Sequence, residues 1–247
     1  MTGRALKLEL KPPLAFIRLE RHEIDDGLLA ELDAACAAIN DDAGVRVAVL
    51  SAGADAFATG WSREALDRDP SERPAPFAGL DATRQPVICA VQGECASAGL
   101  ELALACDVRI AADNATFALP ETAQGRLPVA GGTQRLARLV GRAEALRLLL
   151  LAEAIDAAEA LRIGLVSAVV PRASLDAEAE ALARTIASRG PIAVAYAKEA
   201  VRRGLELPID EALRYETDLT VILQTTADRA EGVRAFLEKR EPKFEGR

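Results

Sequence analysis

Apolar and polar positions along this chain repeat with two different periods. Short apolar runs at residues 6–10 and 14–20 flank Pro12-Pro13, which predicts a hairpin. Over residues 28–39 the period lengthens, with Leu28, Leu32, Ala35 and Ile39 recurring on one face of a helix. Apolar runs at 45–50 and 87–91 read as buried strands, and shorter strands are expected at 115–119 and 165–170. Helical periodicity then dominates at 174–188, 191–203 and 209–224, with breaks at Gly190-Pro191 and Gly204. Asp156 and Glu159 have the spacing of a capping box for a helix closed by Gly164, and Asp228 and Glu231 are read as the caps of a last helix. Strands alternate with helices up to residue 170 and only helices follow, so the expected class is an α/β core with a helical C-terminal part.

Composition adds bounds to this picture. A chain of 247 residues, 50% apolar, suits one domain or a core with a small appendage. Four cysteines (Cys36, Cys89, Cys95, Cys106) show no CxxC spacing and read as small buried thiols of a reducing compartment. The N-terminal residues lack an apolar signal core and no stretch is long enough to span a bilayer, so a cytoplasmic protein without a membrane partner is expected. A formal charge of −8 argues against a nucleic-acid partner. Residues 229–247 depart from that balance, with six basic against four acidic side chains. An exposed face laced with ion pairs is the default reading. His22 is the sole histidine, which leaves little room for a Ser-His or Cys-His dyad and too few ligands for a metal site.

Candidate chemistry concentrates in residues 86–107 (PVICAVQGECASAGLELALACD) and 117–136 (FALPETAQGRLPVAGGTQRL). The first reads as the strand at 87–91, a turn at Gln92-Gly93 and a helix opened by Ser97-Ala98-Gly99. Small residues there allow close approach to the backbone, and the unpaired N–H groups of a helix start favour negative charge. Positions 101, 104, 105 and 108 of one face read Glu, Leu, Ala and Val, and the other faces are equally apolar. Such a helix is normally buried, so the Glu101 carboxyl is expected in a poorly solvated place with a raised pKa. A glutamate facing solvent at a helix N-terminus is the competing reading. In the second stretch Glu121 follows Pro120, and a glycine-rich helix entrance at 127–136 fits neither GxGxxG nor GxxxxGK[ST].

These stretches, together with ATFALPETAQGRLPVAGGTQRLARLVG, AEALRIGLVSAVVP, RAFLEKREPKF and FATGWS in the same order, resemble the enoyl-CoA hydratase/isomerase (crotonase) superfamily. The resemblance implies a spiral of repeated β-β-α turns over residues 1–189, and a helical region, 190–247, that assembles trimers, which often pair into hexamers. It implies that Glu101 and Glu121 match the two glutamates of hydratases, and that the N–H groups of Trp61 and Ala98 form an oxyanion hole, with Gly60 and Gly99 beside it on the substrate. It places Phe236 and Lys239 near the adenine of CoA. No cofactor is expected, because coenzyme A arrives as part of the substrate. Two departures stand out. The family's R-P-x-x-x-N-A-L segment is replaced by the shorter Arg21-His22-Glu23-Ile24, and Trp61-Ser62 stands where the family commonly has a small residue and an Asp. The competing reading of Trp61 is a half-buried surface aromatic. Residues 67–84, rich in charge and small residues between prolines, read as a mobile segment over a pocket.

The function implied is reversible hydration of a 2-enoyl-CoA thioester to the 3-hydroxyacyl-CoA. A double-bond isomerase, or another lyase or dehydratase of the same scaffold, is the alternative within the family. A non-catalytic acyl-CoA-binding relative is the alternative outside catalysis.

Overall fold

The computed structural model describes residues 4–53, 55–69 and 75–247. The hairpin forms as the alternation predicts: β1 (Leu6–Lys11) pairs antiparallel with β2 (Leu14–Leu19), Leu6 opposite Leu19, across a turn containing a cis Pro12–Pro13 bond. The next pieces are β3 (Glu23–Ile24) and α1 (Asp26–Asp41). The Asp25 carboxylate caps α1 by accepting the Leu28 N–H at 2.8 Å. β4 (Val47–Ala52), β5 (Gly60–Trp61), α2 (Arg63–Leu66) and α3 (Ala78–Ala82) follow. The third turn is β6 (Val87–Val91), β7 (Glu94–Ala96) and α4 (Ala98–Ala105). The fourth is β8 (Val108–Ala112), β9 (Thr116–Ala118), a 3₁₀ turn at Pro120–Gln124 and α5 (Gly132–Leu151), which is broken at Gly141.

Each turn therefore sends one strand to a main sheet and the next to a flanking one before a helix packs over both. The main sheet has the order β1-β2-β4-β6-β8-β11, parallel from β2 onward, once β10 (Ile155–Asp156), α6 (Ala157–Arg162) and β11 (Ala168–Val170) are added. The flanking strands form a β10-β9-β7 sheet and a β3-β5 pair. This is the expected β-β-α spiral. The chain ends in α7 (Leu175–Ala187), α8 (Pro191–Gly204), α9 (Ile209–Leu223) and α10 (Ala227–Glu238).

The central parallel strands β4, β6 and β8 are buried on both faces. On one face Ala48, Leu50, Cys89 and Val91 join α1, α4 and α5 in the larger core; on the other Val47, Val49, Ile88 and Ala90 meet Leu175, Ala179, Ala183 and Ala187. Those four α7 residues recur every fourth position, and three alanines among them let the helix lie close to the sheet. All four cysteines are buried and unbridged. Burial pushes the Cys36 thiol up to about 11, and Cys89 and Cys95 well above the ordinary range, so these thiols stay protonated at neutral pH.

Several local expectations need correction. The strand expected at 45–50 starts two residues later, at Val47; the Arg46 N–H bonds the Pro13 carbonyl (2.8 Å) at the hairpin turn, and its guanidinium donates to the carbonyls of Ala187 (3.1 Å) and Phe244 (2.7 Å). The strand expected at 165–170 keeps only its last three residues, since the Leu165 and Val166 N–H groups close α6 on the Ala160 carbonyl. α4 ends at Ala105, so Val108 belongs to β8 and does not share the Glu101 face. Asp156 caps α6 through the Glu159 N–H at 2.8 Å, but the Glu159 carboxylate pairs with Arg147 and Arg162, so the capping box is half made. α10 is capped by Thr226, not by Asp228 and Glu231. The buried Asp228 carboxylate accepts the N–H groups of Glu245 (2.7 Å) and Gly246 (2.9 Å), and Glu231 binds Arg240 and the Lys243 N–H. For Asp228 and Glu231 partners 9 to 18 residues away replace the first-turn N–H groups. Of the stretch 67–84, residues 70–74 lie outside the described residues; the part beyond them is anchored by α3, with Phe77 and Leu80 in the core.

Candidate active site

Residues 55–61 bring the first part of the site together. The chain runs beside β7, with the Phe57 N–H on the Glu94 carbonyl (2.9 Å) and the Ala96 N–H on the Ala58 carbonyl (2.9 Å). Gly99 is obligatory at this crossing, because a Cβ there would lie 2.0 Å from the Ala58 carbonyl oxygen. Gly60, at φ +135°, faces Ser97, and a Cβ on it would fall 3.0 Å from the Ser97 Cβ. The peptides that carry the N–H groups of Trp61 and Ala98 therefore follow two residues in direct apposition. Ala98 opens α4, so its N–H has no acceptor within the helix. Ser97 holds φ 52° and ψ −128°, a region costly for any residue with a Cβ, which marks this turn as strained.

Every residue of α4 is buried, and Glu101 is 0% exposed. Its Oε1 accepts the N–H groups of Ala130 (2.7 Å) and Gly132 (2.8 Å), whereas its Oε2 has no hydrogen-bond partner among the described residues. Burial raises the Glu101 pKa to about 7; the two backbone bonds oppose this, Glu121 adds to it by charge repulsion, and Arg135 opposes it. The solvent-facing reading of Glu101 is thus excluded.

Glu121 sits in the 3₁₀ turn, 4% exposed, with neither carboxyl oxygen hydrogen-bonded to a described residue. It opens onto a cavity of about 570 Å³ whose walls include Trp61, Leu66, Leu127 and Val129. Trp61 is 8% exposed, so it is a wall of this cavity and not a half-buried surface aromatic. Glu121 on the cavity wall and Glu101 in the helix behind the strained turn are two buried carboxyls with unused oxygens, groups able to take and give protons. A wider groove, about 910 Å³, crosses the outer face of β1 and β2, but Lys7, Glu9 and Lys11 there satisfy one another in exposed ion pairs and no buried acid faces it. Of the two, the smaller cavity is the one lined by a buried acid, Glu121.

The enoyl-CoA hydratase/isomerase profile matches residues 11–247. The chain belongs to this family. It is 39% identical to a probable enoyl-CoA hydratase of Mycobacterium tuberculosis over 254 residues, covering 99% of each chain. It is 40% identical to the 2,3-dehydroadipyl-CoA hydratase of Escherichia coli, covering 99% of this chain and 96% of that one. The crystal structure of an enoyl-CoA hydratase from Bacillus anthracis superposes with a TM-score of 0.93 at 35% identity, over 98% of this chain and all of that one.

Among the enoyl-CoA hydratase/isomerase features expected from sequence, the fold gathers Gly60, Trp61, Ala98, Gly99, Glu101 and Glu121 into one region. It does not bring Phe236 and Lys239 to the cavity wall: both lie at the end of α10, Phe236 82% exposed and Lys239 in a left-handed cap at φ 54°. The shortened segment at Arg21-His22 pairs beside β5, with the Thr59 N–H on the His22 carbonyl at 2.9 Å. Of the six basic side chains at 229–247, Arg240 pairs with Glu231 and Glu238 at 2.6 Å and Arg247 pairs with Glu245. Sequence reasoning missed the amides of Ala130 and Gly132 as the grip on Glu101, and Arg126, Leu127 and Val129 as wall residues. The available signal was the glycine pair at 131–132. Among the described residues, no three His, Cys, Asp or Glu side chains converge as metal ligands, and no helix is long and apolar enough to cross a membrane.

Proposed function

We propose that the protein catalyses the reversible hydration of a 2-enoyl-CoA thioester to the 3-hydroxyacyl-CoA. The observation that carries this reading is the pair of buried glutamates with three unused carboxyl oxygens, Glu101 Oε2 and both of Glu121. Adding water across a double bond conjugated to a thioester needs a base for the water, an acid for Cα and donors for the thioester oxygen. Glu101, ionised and anchored by its Oε1, takes a proton from the water through Oε2 as the water oxygen bonds to Cβ. The π electrons move toward the thioester, whose oxygen gains negative charge and accepts the Trp61 and Ala98 N–H groups. The enolate then collapses, and Cα takes its proton from Glu121. The proton that Glu121 gives to Cα is balanced by the one that Glu101 takes from the water. Gly60 and Gly99 let the thioester approach the backbone.

Coenzyme A enters as the substrate's carrier, and Phe236 and Lys239 are assigned to its adenine end. The exposed apolar residues of the C-terminal helices, among them Val201 (64%), Ile209 (71%) and Phe236 (82%), support assembly into a trimer or a pair of trimers. Loss of conjugated absorbance across a panel of enoyl-CoA esters tests the reaction. A panel without turnover, despite calorimetric binding of the same esters, leaves only the acyl-CoA-binding reading.

A further inference from the structure

The 3₁₀ turn that carries Glu121 ends on Gly125 at φ 67°, where the chain reverses in a left-handed cap. The Gly125 N–H bonds the Thr122 carbonyl at 3.1 Å and the Arg126 N–H bonds the Glu121 carbonyl at 2.9 Å. This double closure fixes the Arg126 backbone, and Arg126 lines the same cavity as Glu121. Among the described residues lining that cavity Arg126 is the one cation, the other charged group being Glu121, and the walls between are apolar. Its guanidinium donates to the Gln124 Oε1, a neutral acceptor, and it forms no ion pair with a carboxylate among the described residues. A guanidinium with four donors to spare beside an apolar wall is built to receive a planar anion. The overall charge of −8 makes general attraction of anions an inadequate account of that placement.

We propose that Arg126 selects thioesters whose acyl chain ends in a carboxylate, with the reacting carbons at Glu121 and a few methylenes lying along Leu66, Leu127 and Val129. This deepens the proposed function and rests on reading the cavity as the acyl site. An uncharged chain of equal length leaves the guanidinium dependent on solvent, whereas a terminal carboxylate exchanges that solvent for charge-assisted bonds. Selectivity then comes from a group outside the reaction centre, and Arg126 is a specificity residue without a part in proton transfer.

The test separates binding from turnover. Adipyl-CoA and hexanoyl-CoA are six-carbon saturated esters that differ in the terminal carboxylate and cannot be hydrated. Calorimetry on the parent protein should show adipyl-CoA bound more tightly by roughly tenfold to a hundredfold, the range a charge-assisted hydrogen bond supplies. Arg126→Met should bring the ratio of the two Kd values to one or below, and Arg126→Lys should keep part of it. A parent ratio at or below one overturns the proposal. So does equal weakening of both esters in Arg126→Met, which assigns the guanidinium to the CoA phosphates, and so does failure of the parent to bind either ester. Hydration of crotonyl-CoA is measured separately: adipyl-CoA preference without hydration removes the reaction and leaves the selectivity, and hydration without preference does the reverse.

Discussion

The Gly132 N–H donates to the Glu101 Oε1 at 2.8 Å, joining the first turn of α5 to the middle of α4. A Cβ on Gly132 would lie 3.1 Å from that oxygen and 2.7 Å from the Pro128 Cβ, so a methyl group there must displace one or both. Gly132→Ala should lower kcat by roughly 10- to 100-fold, because a misplaced acid–base group forfeits much of its worth. Steady-state kinetics with calorimetric binding of a saturated ester checks this, and binding should change far less than kcat.

Glu101→Gln and Glu121→Gln are close to isosteric and should retain fold and ester binding while losing roughly 10²- to 10⁴-fold in rate each. The double variant should lose much less than the product of the two, since both groups serve one proton relay. An isomerase needs a single shuttle carboxyl, so one of the two variants would then keep nearly full activity. Hydration and isomerisation rates on the three proteins decide the matter, and an active Glu101→Gln hydratase sinks the assignment.

The raised pKa of Glu101, about 7 against 4.5 when unfolded, has a thermodynamic signature. Between those values the native state binds the proton and the unfolded state does not, so native stability falls as pH rises from about 4.5 to 7 and levels off above. Glu101→Gln removes this dependence. The stability of the variant relative to the parent should therefore be greater at pH 8 than at pH 5, by up to about 3 kcal/mol. Denaturant titrations at the two pH values measure it, and a constant difference contradicts the burial of an ionising carboxyl.

Trp61 is the sole tryptophan and a wall of the cavity. Its fluorescence should change on addition of an acyl-CoA ester. Unchanged emission at saturating ester, with binding confirmed by calorimetry, places the acyl chain elsewhere.

The C-terminal helices expose Val201, Ile209, Val221, Phe236 and Leu237 at 61% or more, whereas Leu219 is buried. Light scattering at micromolar concentration should give a trimer or hexamer, and a stable monomer contradicts it. Phe236→Ala and Lys239→Ala should raise KM for CoA esters with little effect on kcat; an unchanged KM removes both from CoA binding.

Local pattern determined much of this protein. Alternation at 6–19 suffices for the hairpin, fourth-residue spacing of small apolar groups suffices for α7, and an all-apolar helix containing one carboxyl suffices to predict that Glu101 is buried. Each rests on a period contained within one element. The partners of Asp228 and Glu231 and the grip of Ala130 and Gly132 on Glu101 were decided by tertiary structure alone. Backbone N–H groups are identical in every residue but proline, so no side-chain pattern announces which amide, 29 or 31 positions away, meets a given carboxylate. Arg126 belongs to the same class: its sequence position beside a glycine is unremarkable, and only the folded chain, closed at Gly125, brings it to the cavity that Glu121 lines.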